Sequence, residues 1–140
     1  MQRVTGLRQH YISGASVRAR YQSCLIGWPQ IVPKNDCALV LRRDRLLYLG
    51  APAFEPGYHA KEGLAISDVS SGYEVIELSG AGVVDQLRRG GELRLDQPSA
   101  SVARLLFRTE VILYRVSEAT FRMHVPRPAL SCVVGYLRDG

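Results

Sequence analysis

The chain has 140 residues, of which 46% are hydrophobic and 22% are charged. This is the composition of one ordinary globular domain, long enough to bury a core. No apolar run approaches the roughly 18 residues of a membrane-spanning helix, and residues 1–14 lack the apolar stretch of a secretory signal. The composition therefore excludes a membrane protein of the helical kind, and we expect a cytoplasmic location.

The formal net charge is +5, and 16 of the 18 basic residues are arginine. The arginines are scattered, with short pairs only at Arg42-Arg43 and Arg88-Arg89, whereas a nucleic-acid-binding face gathers its basic residues on one element. Arginine is also favoured at protein interfaces, because its planar guanidinium forms bidentate pairs and stacks on aromatic rings. A codon bias toward arginine explains the same count. We expect no nucleic-acid partner, and both interface use and the absence of a specific role remain open.

The first 27 residues predict little regular structure. Residues 3–12 are compatible with an initial strand or an extended arm. Apolar residues between Val17 and Leu25 recur at helical spacing, with Ser16 as a candidate N-cap and Gly27 as a stop signal. This pattern predicts one N-terminal helix.

A hairpin and a long loop are predicted next. Trp28-Pro29 and Pro33 break the chain into an irregular crossing. Two short apolar runs, Ala38–Leu41 and Leu46–Leu49, flank a charged turn and predict a hairpin. Residues 50–63 contain three glycines and two prolines and are the main predicted loop.

The second half shows clearer periodicity. Alternating or β-branched runs predict strands, and apolar residues at i, i+3, i+4 and i+7 predict a closing helix. The predicted elements are a strand at 73–78, a helix at about 81–89, strands at 103–108, 111–116 and 121–125 with a hairpin turn at Ser117–Thr120, and a helix behind Pro128 carrying Leu130, Val133, Val134 and Leu137.

This order, β-α-β-β-β-α, predicts the α+β class, because its amphipathic helices need a sheet to cover. We expect a mainly antiparallel sheet with the amphipathic helices on one face. A single domain should span residues 1–140, with the helix, hairpin and loop in 1–63 and the β-α-β-β-β-α unit in 64–140.

Residues 75–91, VIELSGAGVVDQLRRGG, are similar to the opening of a dinucleotide-binding loop. The fingerprint needs a third glycine three residues after the second, and Asp85 stands there, where its carboxylate would repel a pyrophosphate. The strand at 73–78 carries two acidic residues, whereas a parallel strand of a nucleotide-binding fold is apolar throughout. We predict a structural strand–turn–helix corner.

The three histidines are far apart in sequence, and none has metal-ligand spacing with a cysteine or an acid. His124 alternates with Met123 and Val125, which predicts a histidine at the surface or an interface. His59 lies in the long loop and is the best of the three candidates for proton transfer. His10 carries no further signal. The sequence therefore predicts no metal site and no catalytic group.

The three cysteines, Cys24, Cys37 and Cys132, lack Cys-x-x-Cys spacing and are an odd number. Reduced, partly buried thiols are therefore expected instead of a disulfide or zinc framework. Cys37 follows Asp36, whose carboxylate raises the pKa of a neighbouring thiol and disfavours a nucleophilic role.

Other polar and aromatic residues have structural interpretations beside functional ones. Ser67-Asp68 and Ser70-Ser71 have no histidine nearby and no Gly-x-Ser-x-Gly motif, so we expect them to hydrogen-bond the backbone at a turn. Aromatic residues usually pack in cores, but aromatic residues in a Pro/Gly-rich loop can anchor a partner. The candidate interface residues are Trp28, Tyr48, Phe54 and Tyr58.

Several segments resemble the gamma subunit of heterotetrameric sarcosine oxidase. AISDVSSGYEVIELSGAGVVDQLRRGGELRLD is similar to that family's Ser-Asp step, strand ending in Ser-Gly-x-Gly/Ala and helix ending in Leu-x-x-Gly. VARLLFRTEVILYRV, FRMHVPRPAL and, upstream, GWPQIVPKN and LVLRRDRLLYLG resemble further family segments in the same order. The resemblance spans about residues 20–138 of a chain that is short for this family. Its motif residues here are Asp68, Ser79, Gly80 and Arg127.

The resemblance implies a fold like the N-terminal part of the folate-dependent aminomethyltransferases. It further implies a non-catalytic small subunit of a multisubunit, flavin-dependent N-methyl amine oxidase or dehydrogenase. Such a subunit holds no cofactor and packs against larger flavoprotein and folate-binding subunits, on which FAD, FMN, NAD and tetrahydrofolate are expected. Two alternatives remain from the residues: a free-standing folate or small-anion binder that uses arginines for carboxylates, and a basic RNA-binding module.

Overall fold

The computed structural model describes residues 1–33 and 36–139. Residues 34 and 35, which belong to the GWPQIVPKN segment, and residue 140 lie outside the described residues. The elements in chain order are β1 Gln2–Val4, β2 Gln9–Ser13, α1 Val17–Arg20, β3 Leu25–Ile26, β4 Cys37–Arg42, β5 Arg45–Leu49, β6 Gly57–His59, β7 Leu64–Asp68, β8 Tyr73–Ser79, α2 Val83–Arg88, β9 Ala103–Leu106, β10 Thr109–Ser117, β11 Thr120–Pro126 and α3 Leu130–Asp139.

The strands form two sheets, and the fold is α+β as predicted. The first sheet has five strands in the order β1-β8-β11-β10-β9, and all of its pairs are antiparallel. The second sheet has six strands in the order β3-β4-β5-β2-β7-β6, with one parallel pair, β3 with β4. The sequence pattern predicted one sheet only, because the short strands of the second sheet show weak alternation of apolar and polar residues.

The N-terminal segment belongs to both sheets. Instead of one strand at 3–12, β1 pairs with β8 in the first sheet and β2 lies between β5 and β7 in the second. Gly6 lies between the two strands with a φ of 73°, a conformation that glycine adopts without a steric penalty. The chain therefore crosses from one sheet to the other within its first nine residues.

Both faces of the first sheet are covered. Residues of α2 and α3, among them Leu87 and Val133, pack in the same core cluster as the inward-facing residues of β4 and β5, such as Leu39 and Leu47. In consequence β11 is buried over five consecutive residues, 121–125. The strand predicted at 121–125 is therefore confirmed, but it is buried on both faces, whereas its alternation of apolar and polar residues predicts burial of one face only.

A second, smaller core cluster lies on the outer face of the six-stranded sheet. It contains Val17 of α1 and the outward-facing residues of β2, β4, β5 and β7, for example Ile12 and Leu46. Helix α1 is only four residues long and continues into a 3-10 turn at Gln22–Cys24. Ser16 occupies the N-cap position without a side-chain capping bond, and Leu25 pairs with β4 in a strand instead of extending the helix.

The predicted hairpins are confirmed. Strands β4 and β5 pair antiparallel around residues 43–44, and β10 and β11 pair around residues 118–119. The strand predicted at 103–108 ends earlier, at Leu106, because Phe107 and Arg108 adopt positive φ angles of 53° and 62° and turn the chain into β10. Two central residues with positive φ characterise the type I′ turn of tight hairpins.

Three strands of the second sheet were not predicted, namely the short β3 described above and the pair β6 and β7. Strand β6 lies inside the predicted loop 50–63, and β7 follows it as its antiparallel partner. The division of the chain at residue 63 therefore falls between two paired strands, and β7 joins the sheet of the N-terminal half. The order β-α-β-β-β-α is observed from β8 to α3.

Candidate functional site: a polar seam between the sheets

The four residues of the family resemblance, Asp68, Ser79, Gly80 and Arg127, form hydrogen bonds or ion pairs at turns and strand ends. Asp68 accepts a hydrogen bond from the Ser70 backbone N–H at 2.9 Å. Hydrogen bonds from the backbone N–H and side chain of Ser70 hold the pKa of Asp68 below its ordinary value, with a smaller contribution from His10. The Ser70 hydroxyl donates in turn to the carbonyl of Gln9 at 3.3 Å. This segment thus fixes the exit of β7 against β2.

The strand–turn–helix corner holds the ends of β8 and β11 together. The hydroxyls of Ser79 and Thr120 are 3.1 Å apart. Gly80 has a φ of 120° and donates its backbone N–H to the carbonyl of Ala119 at 3.1 Å. Strand β8 is antiparallel to both of its neighbours and α2 has only six residues, which is not the geometry of a dinucleotide-binding unit.

Arg127, the last motif residue, closes the opposite end of the same strand pair. Its guanidinium lies 3.0 Å from the carboxylate of Glu74, and its backbone N–H donates to the carbonyl of Gly72 at 3.0 Å. Because the Arg127 side chain is 56% exposed, this ion pair contributes little to stability.

The four candidate interface residues lie in different environments. Trp28 is buried, with 3% of its surface exposed, and its indole N–H donates to the carbonyl of Arg94 at 2.8 Å. It therefore offers little surface to a partner. Tyr48 and Phe54 are half-buried and pack on the smaller core cluster. Tyr58 is 74% exposed.

We define the outer aromatic face as Tyr21, Tyr48 and Phe54. Tyr21 and Tyr48 have ring centroids 5.9 Å apart, and Phe54 lies 5.2 Å from the ring of His59. Tyr58 pairs in register with Ala65, so the alternation of β6 directs it to the opposite face of the sheet from His59. The structure brings three aromatic rings onto one face and separates Tyr58 from them.

His124 is fully buried between the two sheets, so the prediction of a surface histidine is wrong. Its Nδ1 is 2.6 Å from Gln9 Oε1, and its Nε2 is 2.7 Å from the hydroxyl of Tyr114. Because an amide oxygen only accepts, Nδ1 carries the proton and Nε2 accepts from Tyr114. Burial, assisted by the nearby Arg122, lowers the pKa of His124 to about 3. The imidazole is therefore neutral at physiological pH and joins β2 to β11.

A largely buried ion pair, Arg122 with Glu77, lies next to Tyr114. We define the polar seam as Gln9, His124, Tyr114, Arg122 and Glu77. Arg122 and Glu77 stand opposite each other in register, with a guanidinium-to-carboxylate distance of 2.9 Å. The Arg122 guanidinium lies 6.0 Å from the centroid of the Tyr114 ring. Burial raises the pKa of Tyr114, although Arg122 acts in the opposite direction. The Tyr114 hydroxyl therefore stays protonated and available to His124.

The other histidines serve local contacts. His10 is buried, and its Nε2 lies 3.8 Å from the carboxylate of Asp68. His59, the sequence candidate for proton transfer, has its Nε2 2.7 Å from the backbone carbonyl of Glu55. This bond and the tilted contact with the Phe54 ring account for the position of His59 at the end of β6.

The cysteines are all free thiols. Cys37 is buried, and burial raises its pKa to about 12, with smaller contributions from Cys24 and Asp36. The thiol is consequently protonated at physiological pH and a poor nucleophile. Cys24 is half-buried and Cys132 is exposed.

An inter-sheet cleft, which the sequence analysis missed, opens beside the seam. Its volume is about 240 Å³, and Tyr11, Arg42, Arg45, Tyr73 and Glu110 contribute to its walls. The five residues come from five strands and are separated by up to 99 positions in the sequence, so no local pattern could reveal them. Only the stacking of the two sheets places them together.

Several arginines stack on aromatic rings within the fold. Arg45 lies over Tyr11 and Arg104 over Trp28, each with 5.1 Å between the guanidinium carbon and the ring centroid. Arg115 lies over Phe121 at 5.7 Å. The high arginine content thus has an internal structural use, which composition alone did not identify.

The described part of the chain contains neither a cluster of metal ligands nor a membrane-spanning helix. No group of three or more histidine, cysteine, aspartate or glutamate side chains in residues 1–33 and 36–139 could hold a metal ion. None of the helices in that part of the chain has the length and apolarity needed to cross a membrane.

The geometry defines an α+β protein with two stacked sheets, one of them covered by two helices. No protein-family model matches the sequence, and a search of curated proteins found no significant match. The fold is that of a chain in the heterotetrameric sarcosine oxidase from Corynebacterium sp. U-96, solved in complex with pyrrole 2-carboxylate. The TM-score is 0.68 at 18% sequence identity, and the match covers 98% of this chain and 80% of that chain. The resemblance found in the sequence is confirmed at the level of the fold.

Proposed function

We propose that this chain is a small, gamma-type subunit of a multisubunit, flavin-dependent N-methyl amine oxidase or dehydrogenase of the sarcosine oxidase kind. In this role it packs against larger flavoprotein and folate-binding subunits and contributes no active site. The single observation that carries the proposal is the fold match over 98% of the chain.

The extent of the match supports the proposal. It covers nearly all of this chain and four fifths of the other, at a TM-score of 0.68. The fold of this chain therefore lies almost entirely within that of the longer chain, and the matched chain belongs to a heterotetrameric enzyme. A shared fold alone does not fix function, so the subunit role needs the surface and chemical arguments that follow.

Two reactive side chains, those of His124 and Cys37, are occupied by structural contacts, which supports a role in assembly. His124 is held neutral between Gln9 and Tyr114, and the raised pKa of Cys37 keeps its thiol protonated. In the proposed complex, FAD, FMN, NAD and tetrahydrofolate would be bound by the larger subunits.

Two surfaces offer aromatic side chains to a partner. The outer aromatic face, Tyr21, Tyr48 and Phe54, is half-exposed over a small core cluster. Tyr58 projects from the edge strand β6. Aromatic residues dominate the binding energy of protein interfaces, because they bury large areas at a small cost in side-chain entropy.

Co-expression tests the proposal directly. The full chain is produced with flavoprotein and folate-binding proteins encoded beside it, and the purified material is analysed for bound flavin by absorbance and for mass by light scattering. We expect a stable complex that contains this chain and flavin. A monodisperse chain that never co-purifies with a flavoprotein overturns the proposal.

Substitutions at the aromatic residues then locate the contact. Phe54→Ala and Tyr58→Ala probe opposite faces of the six-stranded sheet, and we expect at least one of them to weaken association about fivefold or more, as for an interface residue worth over 1 kcal/mol. Lys61→Ala, an exposed change in the turn between β6 and β7, is the matched control and should leave association unchanged. Unchanged association in all three variants excludes both faces as the contact.

A further inference from the structure

The inter-sheet cleft presents hydrogen-bond donors that the fold leaves in excess. Arg45 uses its Nε to donate to the Ser13 hydroxyl at 3.2 Å, which leaves the two terminal nitrogens of its guanidinium for other partners. Its plane is held over the ring of Tyr11. An arginine anchored through Nε and by stacking is pre-organised, because its orientation is fixed before a ligand binds.

The paired hydroxyls of Tyr11 and Tyr73 supply a further donor. They hydrogen-bond to each other, and this bond uses one of their two protons. Burial, followed by the hydrogen bond between Tyr73 and Tyr11, raises the pKa of Tyr73 above its ordinary value. The Tyr73 hydroxyl therefore remains protonated near neutral pH, and the proton that the pair does not share can be donated to a bound molecule.

The charges of the walls favour a monoanion. Arg42 and Arg45 contribute two positive charges, and Glu110 contributes one negative charge. The Arg42 guanidinium lies 3.9 Å from the Glu110 carboxylate, and both side chains are more than 60% exposed, so this pair is weak and screened by solvent. The cleft thus keeps one net positive charge beside a neutral donor.

The volume limits the size of the ligand. Pockets for drug-sized molecules occupy about 300–1,000 Å³, whereas this cleft has about 240 Å³. A complete folate exceeds it. A planar carboxylate matches the guanidinium in shape, because the two groups form parallel, charge-assisted hydrogen bonds.

We propose that the inter-sheet cleft is a binding site for a small monocarboxylate, whose carboxylate pairs with Arg45 and Arg42 and accepts a hydrogen bond from the tyrosine hydroxyl pair. The aromatic faces of Tyr11 and Tyr73 flank the remainder of the ligand. This site lies within the chain and does not depend on the subunit role proposed above.

Titration of the isolated full chain with benzoate tests the site, with benzamide as the neutral analogue of the same shape. We expect saturable binding of benzoate with a Kd on the order of 1 mM, the weak end of the ordinary affinity range, and no saturation with benzamide. Nuclear magnetic resonance should place the benzoate-induced shifts at Tyr11, Tyr73 and Arg45. Absence of saturation, equal binding of benzamide, or shifts centred elsewhere overturns the proposal.

Benzoate binding by two variants separates specific recognition at the cleft from general attraction by positive charge. Arg45→Gln should weaken benzoate binding about tenfold or more, as expected for loss of a charge-assisted hydrogen bond. Arg43→Gln removes the same charge from the adjacent turn, outside the cleft wall, and should leave the Kd within about twofold. Equal losses in both variants refute the site. If Arg45→Gln does not fold, the shift map of the unmodified chain decides the matter.

Inorganic phosphate distinguishes the carboxylate from other anions. We expect it to bind at least tenfold more weakly than benzoate, because it has no ring to pack against Tyr11 and Tyr73 and its second negative charge exceeds the single net positive charge of the cleft. Tighter binding of phosphate contradicts the assignment to carboxylates. Complex formation with flavoproteins is measured separately, so failure of one proposal is distinguishable from failure of the other.

Discussion

The buried His124 makes the stability of this protein depend on pH in a defined direction. The pKa of His124 is about 3 in the folded chain, against the ordinary value of 6.5. Between these values the unfolded chain binds a proton that the folded chain does not, so acidification favours unfolding. The stabilisation is complete above about pH 6.5 and is lost progressively as the pH falls toward 3.

The magnitude follows from the two pKa values. Each pH unit in this window changes the free energy of unfolding by up to about 1.4 kcal/mol. Integration from pH 7.5 to pH 5.0 gives a loss of about 2 kcal/mol. With a urea dependence of about 1–3 kcal/mol per molar, the denaturation midpoint should fall by roughly 1 M.

Urea denaturation followed by circular dichroism at pH 7.5 and pH 5.0 measures this loss. In His124→Gln the difference between the two pH values should nearly vanish, because glutamine keeps a donor and an acceptor but does not titrate. His59→Gln removes a histidine from the partly exposed loop and should retain the wild-type difference. The reasoning is refuted if the wild-type midpoint is the same at both pH values, or if His124→Gln keeps the full difference.

Other predictions concern packing and thiol reactivity. A Cβ at Gly90 would lie 2.7 Å from the buried ring of Phe107, so Gly90→Ala should cost about 1–3 kcal/mol by overpacking. Gly135→Ala lies in α3 with no heavy atom within 4 Å of the added Cβ, so it should instead stabilise the chain by up to about 1 kcal/mol through helix propensity. Thermal unfolding of both variants measures these opposite changes in stability. A Gly90→Ala variant as stable as the wild type would contradict the packing argument. Burial raises the pKa of Cys37 to about 12, so Cys37 in the native chain should resist iodoacetamide at pH 8 while Cys132 is alkylated. Mass spectrometry measures the labelling of each cysteine. Equal labelling rates would show that Cys37 is accessible and contradict the prediction.

The order of elements from β8 to α3 was predictable from the sequence. Hydrophobic periodicity is local, so the strands at 73–78 and 111–116 and the closing helix could be recognised from their own residues. The corner at Gly80 was also predictable, because Asp85 and the two acidic residues of the strand exclude a nucleotide loop. The segment resemblance led to the fold that the structure comparison shows.

The sequence alone determined the α+β class, the hairpins and the turn chemistry, since each depends on residues that are neighbours in the chain. Tertiary structure decided the burial of His124 and the existence of the cleft between Tyr11 and Arg45 on one sheet and Tyr73 on the other. Alternation tells which residues share a face of a strand, but not whether a second sheet covers that face. Stacking of the two sheets buried a polar face that the pattern alone assigns to solvent, and it brought distant arginines and tyrosines together.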